Sequence, residues 1–347
     1  MGETARRALV FALVTVGVVA IALALWKLRL LIALLFLAFI VAAAMRPAVE
    51  QLRRRHVPRG VGIGLHYVAL FGLVALLLWA VVPRANDQVR SAIDSLPAER
   101  KSSTGVKHDV LTGLERRLEE LPSAEQLVDP ALELGLLGFE IALGIFFTLA
   151  CAAYWIFERD TAVRLVTSLL PGSRQKVVRD TWDLIDLKLG AYVRGQAILI
   201  VLVGAVLSGI FWSIGLPYWL LIAIFAGVVE IVPVIGPITA GALAVGVGLT
   251  ESLGVGLAAG LAVLVVRLVE DYVVIPRVLG DAVGLSPLLV LVSVTGTALL
   301  FGEFAILLAI PLAAVLATLV DVVLLAKDPA DADVPTVLFP AKDAETV

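Results

Sequence analysis

The chain is poor in the residues that build most catalytic and metal centres. A single cysteine, Cys151, stands in an apolar run of a 347-residue chain, so no disulfide or cysteine-based zinc site can form within it, and Cys151 reads as a packing residue. The histidines, His56, His66 and His108, fall in three separate segments without metal-ligand spacing. No G-x-x-x-x-G-K-[ST] phosphate loop occurs, which excludes ATP hydrolysis by that route, and no H-E-x-x-H zinc motif is present. His66, inside an apolar run, has no serine partner suggested by spacing, which speaks against an intramembrane protease. The sequence therefore points away from an enzyme, and no cofactor is expected. Charge is scarce as well. Asp, Glu, Lys and Arg make up 16% of the chain, the net charge is −3, and the basic residues sit in connecting segments, so no nucleic-acid partner is implied.

Apolar residues fill the space those absences leave. They make up 60% of the chain and its mean hydropathy is +1.01, more than a soluble domain can hide from water, so the lipid bilayer is the expected solvent. Apolar stretches run nearly end to end and leave no room for an independent globular unit. Runs long enough to cross a bilayer occupy 8–26, 30–45, 61–83, 135–157, 196–216, 253–269, 284–300 and 304–325. The expected fold is all-α, a polytopic transmembrane helical bundle of about eight spans. Arg6 and Arg7 before the first run resemble the start of a signal peptide, but the second run follows so closely that a retained pair of spans is expected.

The run 218–249 differs. Glu230, Pro233, Gly236 and Pro237 interrupt its middle, and neither half makes a comfortable full span. It reads as a broken or re-entrant helical hairpin, because irregular backbone at membrane depth survives only where protein or a water-filled cavity satisfies it.

Basic residues set the expected orientation. Segment 46–60 carries Arg46, Arg53, Arg54, Arg55 and Arg59, and segment 158–195 carries Arg159, Arg164, Arg174, Lys176, Arg179, Lys188 and Arg194; both belong in the cytoplasm. With Arg6 and Arg7 also inside, the crossings return the C-terminus to the cytoplasm. The chain then divides into a three-span segment at 1–83, an external segment at 84–134 with an amphipathic helix at 107–121, and a fourth span at 135–157. Cytoplasmic amphipathic helices follow at 158–195, then a membrane core at 196–325 that contains the broken hairpin, and a polar, proline-rich tail at 326–347 expected to stay disordered. Val178, Trp182, Ile185 and Leu189 mark one face of the helix after Pro171, which is expected to lie along the membrane surface as an anchor or as a lever between two halves.

Between Arg194 and Arg267 there is no Lys or Arg, and the acidic residues there are Glu230 and Glu251. This stretch is the expected functional core. A charge at mid-membrane costs about 2.5–3.5 kcal/mol on insertion scales, so a deep Glu230 must face a cavity, bind a cation or carry a proton; near the headgroups it would merely bond to its neighbours. Pro233 and Pro237 free upstream carbonyls and Gly236 permits a tight turn, the features with which broken-helix transporters coordinate substrates and ions. Arg267, Glu270, Asp271, Arg277 and Asp281 cluster around Pro276; as a group they suit an interfacial loop with local ion pairs. Two function classes follow. One is a secondary transporter with its pathway along 218–249 and 253–325; the other is a non-transporting scaffold or regulator whose partner docks on the helix bearing Trp182.

The pattern also resembles a known family. G-x-Y-x-R-G-Q at Gly190, Tyr192, Arg194, Gly195 and Gln196, then Leu216-Pro217, then P-x-x-G-P at Pro233, Gly236 and Pro237, are similar in order and spacing to the autoinducer-2 exporter family of bacterial membrane permeases. The likeness continues through Pro276, Gly280, Leu285, Pro287, Gly302 and Pro311, and MRPAVEQLRRRHVPR at 45–59 resembles the family's first cytoplasmic loop. The resemblance implies a homo-oligomeric carrier of the bacterial inner membrane, a pentamer, without a cofactor. It would export small polar molecules such as autoinducer-2, and some similar proteins are sodium/proton antiporters. It adds Arg194, Gln196 and Pro287 to the candidate pathway of Glu230, Pro233, Gly236, Pro237, Glu270, Asp271 and Pro276, and Val234 stands where members often carry tyrosine.

Overall fold

The computed structural model describes residues 3–102, 128–232, 235–278 and 286–332, and among them no strand occurs. The helices are α1 (Glu3–Lys27), α2 (Arg29–Arg54), α3 (Arg59–Ser102), α4 (Val128–Ser168), α5 (Gly172–Ser213), α6 (Trp219–Val229), α7 (Ile235–Glu251), α8 (Leu253–Val269), α9 (Pro287–Phe301) and α10 (Ala309–Val323). A π-helical turn, Glu270–Val274, and one α turn, Ile275–Val278, extend α8; 3-10 turns at Glu303–Leu308 and Pro329–Asp331 flank α10.

The turns follow from local chemistry. α2 stops where His56 adopts a left-handed conformation at φ 64° just before Pro58. α5 ends in a Schellman arrangement: Gly215, at φ 70°, donates to the Trp212 carbonyl at 3.2 Å, and Leu216 donates to the Phe211 carbonyl at 3.0 Å. Ser252 caps α8 by accepting from the Val255 N–H at 3.1 Å, and Ser286 caps α9 through Leu289 at 3.3 Å with Pro287 in the first turn.

Among the described residues, seven helices are long and apolar enough to cross a membrane: Val10–Lys27, Arg29–Arg54, Arg59–Gln88, Gly135–Ser168, Gly172–Ser213, Leu253–Arg277 and Phe304–Val323. The bundle is thus polytopic and helical, as the apolar runs led one to expect. The stretch 284–300 yields α9, only 15 residues, because Ser286 and Gly302 bound it. In lipid, association rests on close packing rather than on hydrophobic exclusion, so small residues mark the contacts. Gly204 of α5 meets Gly227 of α6, and Gly248 of α7 meets Gly256 of α8. The largest core cluster joins Leu207, Phe211 and Leu216 to Ile222 and Ala226 of α6, Ala244 of α7 and Ala259 of α8. A second packs Ala38, Ala42 and Val49 of α2 against Ile63 of α3 and Ala152 and Ile156 of α4.

Three boundaries differ from the sequence expectation. The amphipathic segment 172–189 is no separate surface helix: it is the first half of α5, whose 42 residues run about 63 Å, twice the hydrocarbon core of about 30 Å. Unbroken backbone hydrogen bonding carries it straight into the span, and its apolar face turns inward, with Trp182 stacked on Trp155 at 6.0 Å and edge-on to Phe39 at 6.4 Å. α4 likewise continues from the fourth span to Ser168. The chain after α10, expected to be disordered from 326, packs on α5 through a buried Pro329 as far as it is described. The helix expected at 107–121 and positions 333–347 lie outside the described residues.

Candidate transport site at the helix break

α6 is 11 residues long, about 16 Å, and stops at Val229. Glu230, Ile231 and Val232 turn the chain, with Val232 N–H on the Val229 carbonyl at 2.9 Å and Gly236 N–H on the Val232 carbonyl at 2.9 Å. α7 can start this close to the end of α6 only because residue 236 is glycine: a Cβ there would collide with the Val229 carbonyl. Gln196 of α5 braces the break by donating its Nε2 to the Glu230 carbonyl oxygen at 3.0 Å, satisfying an acceptor freed where α6 ends.

The Glu230 side chain turns inward, only 6% exposed, and its Oε1 accepts from Arg267 Nη1 of α8 at 2.9 Å. The same Nη1 reaches Glu270 Oε2 at 3.2 Å, while Arg267 Nη2 stands 2.8 Å from Asp271 Oδ1. Glu270 is 3% exposed, and its second oxygen, Oε1, is buried with no hydrogen-bond partner among the described residues. One guanidinium therefore serves three carboxylates. The backbone beneath is a π turn, Glu270–Val274, which packs an extra residue into the turn and swings Glu270 inward; Pro276 follows it and cannot donate to the Tyr272 carbonyl. Beside the cluster, Pro237, Val203 and Leu207 help line a cavity of about 10 Å³, the room of one water. α7 and α8, 17 residues each, run about 25 Å from this cluster to the turn at Ser252. The cluster thus sits at the end of α7 and α8 opposite that turn.

Of the sequence candidates, Glu230, Gln196, Gly236, Pro237, Glu270 and Asp271 converge here. Arg194 grips α2 instead, donating Nη1 to the Ala44 carbonyl at 3.1 Å beside Gly190, where a Cβ would come within 2.5 Å of the Ala43 carbonyl. Pro287 opens α9, and Pro276 sits at the exposed end of the π turn. Pro233, Val234, Gly280, Asp281 and Leu285 lie outside the described residues. Sequence reasoning omitted Arg267 from the site. Its signal was present: Glu270 and Asp271 follow it at the i+3 and i+4 positions that face one another on a helix.

A second ionic cluster went unnoticed. Asp186 of α5, 5% exposed, takes Arg159 Nε of α4 at 2.9 Å and Arg46 Nη1 of α2 at 3.1 Å on its Oδ2. Arg159, 6% exposed, also pairs with Asp183, and Arg59 of α3 reaches Asp160 at 3.3 Å. Arginines read as topology markers thus tie four helices together at one end of the bundle.

A polytopic helical bundle with a buried, carboxylate-rich break between two short helices is an architecture shared with membrane transporters built on discontinuous helices. The chain belongs to the AI-2E family of transporters, whose family model matches residues 11–325. Its relatives include three that carry the name "Putative transport protein". YrrI of Bacillus subtilis is 24% identical over 298 residues, covering 81% of this chain and 83% of its own. YueF of the same organism is 26% identical over 287 residues, 77% of each chain. MT0215 of Mycobacterium tuberculosis is 26% identical over 335 residues, 93% of this chain and 91% of its own. The chain is accordingly a multi-pass membrane transporter.

Proposed function

We propose that the protein is a secondary transporter that exports small polar solutes such as autoinducer-2, with the Glu230–Arg267–Glu270 cluster as the charged gate of its pathway. The observation that carries this reading is the buried cluster itself. Two carboxylates under 10% exposed share one guanidinium beside a break in the helix, an arrangement costly in a static membrane bundle and useful where a polar cargo must replace water. Arginine-rich loops support a bacterial inner-membrane protein with both termini in the cytoplasm, and the cluster guards the cytoplasmic mouth. The carrier works as a homo-oligomer, a pentamer by family resemblance.

The charge count favours a second reading, a sodium or other cation/proton antiporter. Glu230, Glu270 and Asp271 outnumber Arg267, and a proton or small cation beside the 10 Å³ cavity would complete the balance. Flux into everted membrane vesicles tests both. Glu230→Gln and Arg267→Gln are each expected to reduce transport of autoinducer-2 to background, and a pH-gradient change on adding sodium selects the antiporter. Wild-type flux of both solutes in both variants refutes the site.

A further inference from the structure

Where α10 leaves the bundle, the chain folds back as a strap. Ala326 turns it with φ 51°, Lys327 N–H donates to the Asp321 carbonyl at 3.0 Å, and Lys327 Nζ meets Asp321 Oδ1 at 2.7 Å. The 3-10 turn Pro329–Asp331 then lies against α5, its start capped by Asp328 Oδ1, which accepts the Ala330 N–H at 2.9 Å. Between strap, α5 and α10 lies a cavity of about 330 Å³, within the range of about 300–1,000 Å³ typical of small-molecule sites.

Its walls are chemically sorted. Leu184, Val322 and Pro329 supply apolar surface. Asp321 and Lys327 neutralise each other. That leaves one cation, Lys188 on α5, and two carboxylates on the strap, Asp331 and Asp328, of which Asp328 already caps Ala330. Lys188 of α5 is half-buried and donates Nζ to the buried Thr318 hydroxyl at 3.1 Å; Thr318 in turn donates to the Ala314 carbonyl at 2.8 Å. An ammonium carries three donors, and among the described residues Lys188 has this one acceptor and no carboxylate within 4.0 Å. On the strap, Asp331 forms no ion pair within the same limit among the described residues, and a cation in its field is Lys176 of α5. A cation with spare donors and a carboxylate with spare acceptors, lining one cavity with apolar residues between the strap and α5, match a solute that carries both charges and a small apolar side chain.

We propose that this cavity binds a small zwitterionic solute of the amino-acid class, its carboxylate on Lys188, its ammonium on Asp331 and its side chain against Leu184 and Val322. The site is separate from the helix break: Lys188 precedes Gln196 by eight residues on α5, about 12 Å of helix. A bound solute bridges α5 to the strap and holds the strap in place.

Isothermal titration of the purified full-length chain in detergent tests this with three probes. L-Leucine carries both charges, N-acetyl-L-leucine lacks the cation and L-leucinamide lacks the carboxylate. Leucine is expected to bind at least about tenfold more tightly than either derivative, the weight of one hydrogen bond between charged groups. Lys188→Gln should erase the preference for leucine over leucinamide, and Asp331→Asn its preference over N-acetyl-leucine. Lys188→Arg, which keeps the charge, should retain much of the binding and control for misfolding. Glu230→Gln should bind leucine like wild type, so this test fails or succeeds independently of the transport site. No heat with leucine at millimolar concentration, an intact preference in Lys188→Gln, or loss of binding in Glu230→Gln each overturns the proposal.

Discussion

The two buried ionic clusters differ in charge balance. Where α2, α3, α4 and α5 meet, Arg46, Arg59 and Arg159 pair with Asp160, Asp183 and Asp186, one charge for one. At the break between α6 and α7, one guanidinium, Arg267, holds three carboxylates with no second cation among their ion pairs in the described residues. The backbone beneath them differs in the same sense. Asp186 and Arg159 project from long uninterrupted α-helices, whereas Glu230 ends a short helix and Glu270 opens a π turn. A paired cluster on rigid helices fastens; a carboxylate-rich cluster on interrupted backbone has both spare charge and room to rearrange, which transport requires.

The sharpest way to break this contrast is Asp186→Ala. It removes one of the three carboxylates around buried Arg159 and the partner of half-exposed Arg46, and is expected to destabilise the protein by about 1.5–3 kcal/mol, read as a lower thermal midpoint in detergent. If instead it abolishes flux while the midpoint holds, the cluster is part of the pathway. Next in size, Gly236→Ala drives a methyl into the Val229 carbonyl and should cost about 1–3 kcal/mol while separating α6 from α7, so that flux falls together with stability. Glu230→Gln should divide the two readouts, losing flux with little change in midpoint, since an amide can still bond to Arg267 without its charge; a midpoint drop as large as that of Asp186→Ala would make both clusters structural. The smallest effect is expected from Gln196→Ala, which removes one hydrogen bond to the Glu230 carbonyl, about 0.5–1.5 kcal/mol, and should lower flux only partly.

Most of the fold was legible because apolar runs report span length directly, and the Pro-Gly-Pro interruption reports a break in any environment. The errors were of one kind: length read locally misses what continues. Trp182, Ile185 and Leu189 have the period of an amphipathic helix whether it lies on a membrane or inside a bundle, and periodicity does not name the partner face. Pro329 shows the same limit, since a polar, proline-rich segment has no packing pattern until α5 offers a surface. Within the site, Glu230 stood out as the lone carboxylate of an apolar run, but Arg267 and Asp186 did not, because each lies in a charged segment where ordinary loop chemistry explains it.

By itself the sequence determined the solvent, the helical architecture and the position of the break, since each depends on side-chain polarity and backbone freedom along the chain. Which charges meet was decided only by tertiary structure. Arg267 lies 37 residues from Glu230, and Arg46 lies 140 from Asp186, so those pairs exist only because close helix packing at Gly190, Gly227 and Gly236 brings the backbones that carry them into register.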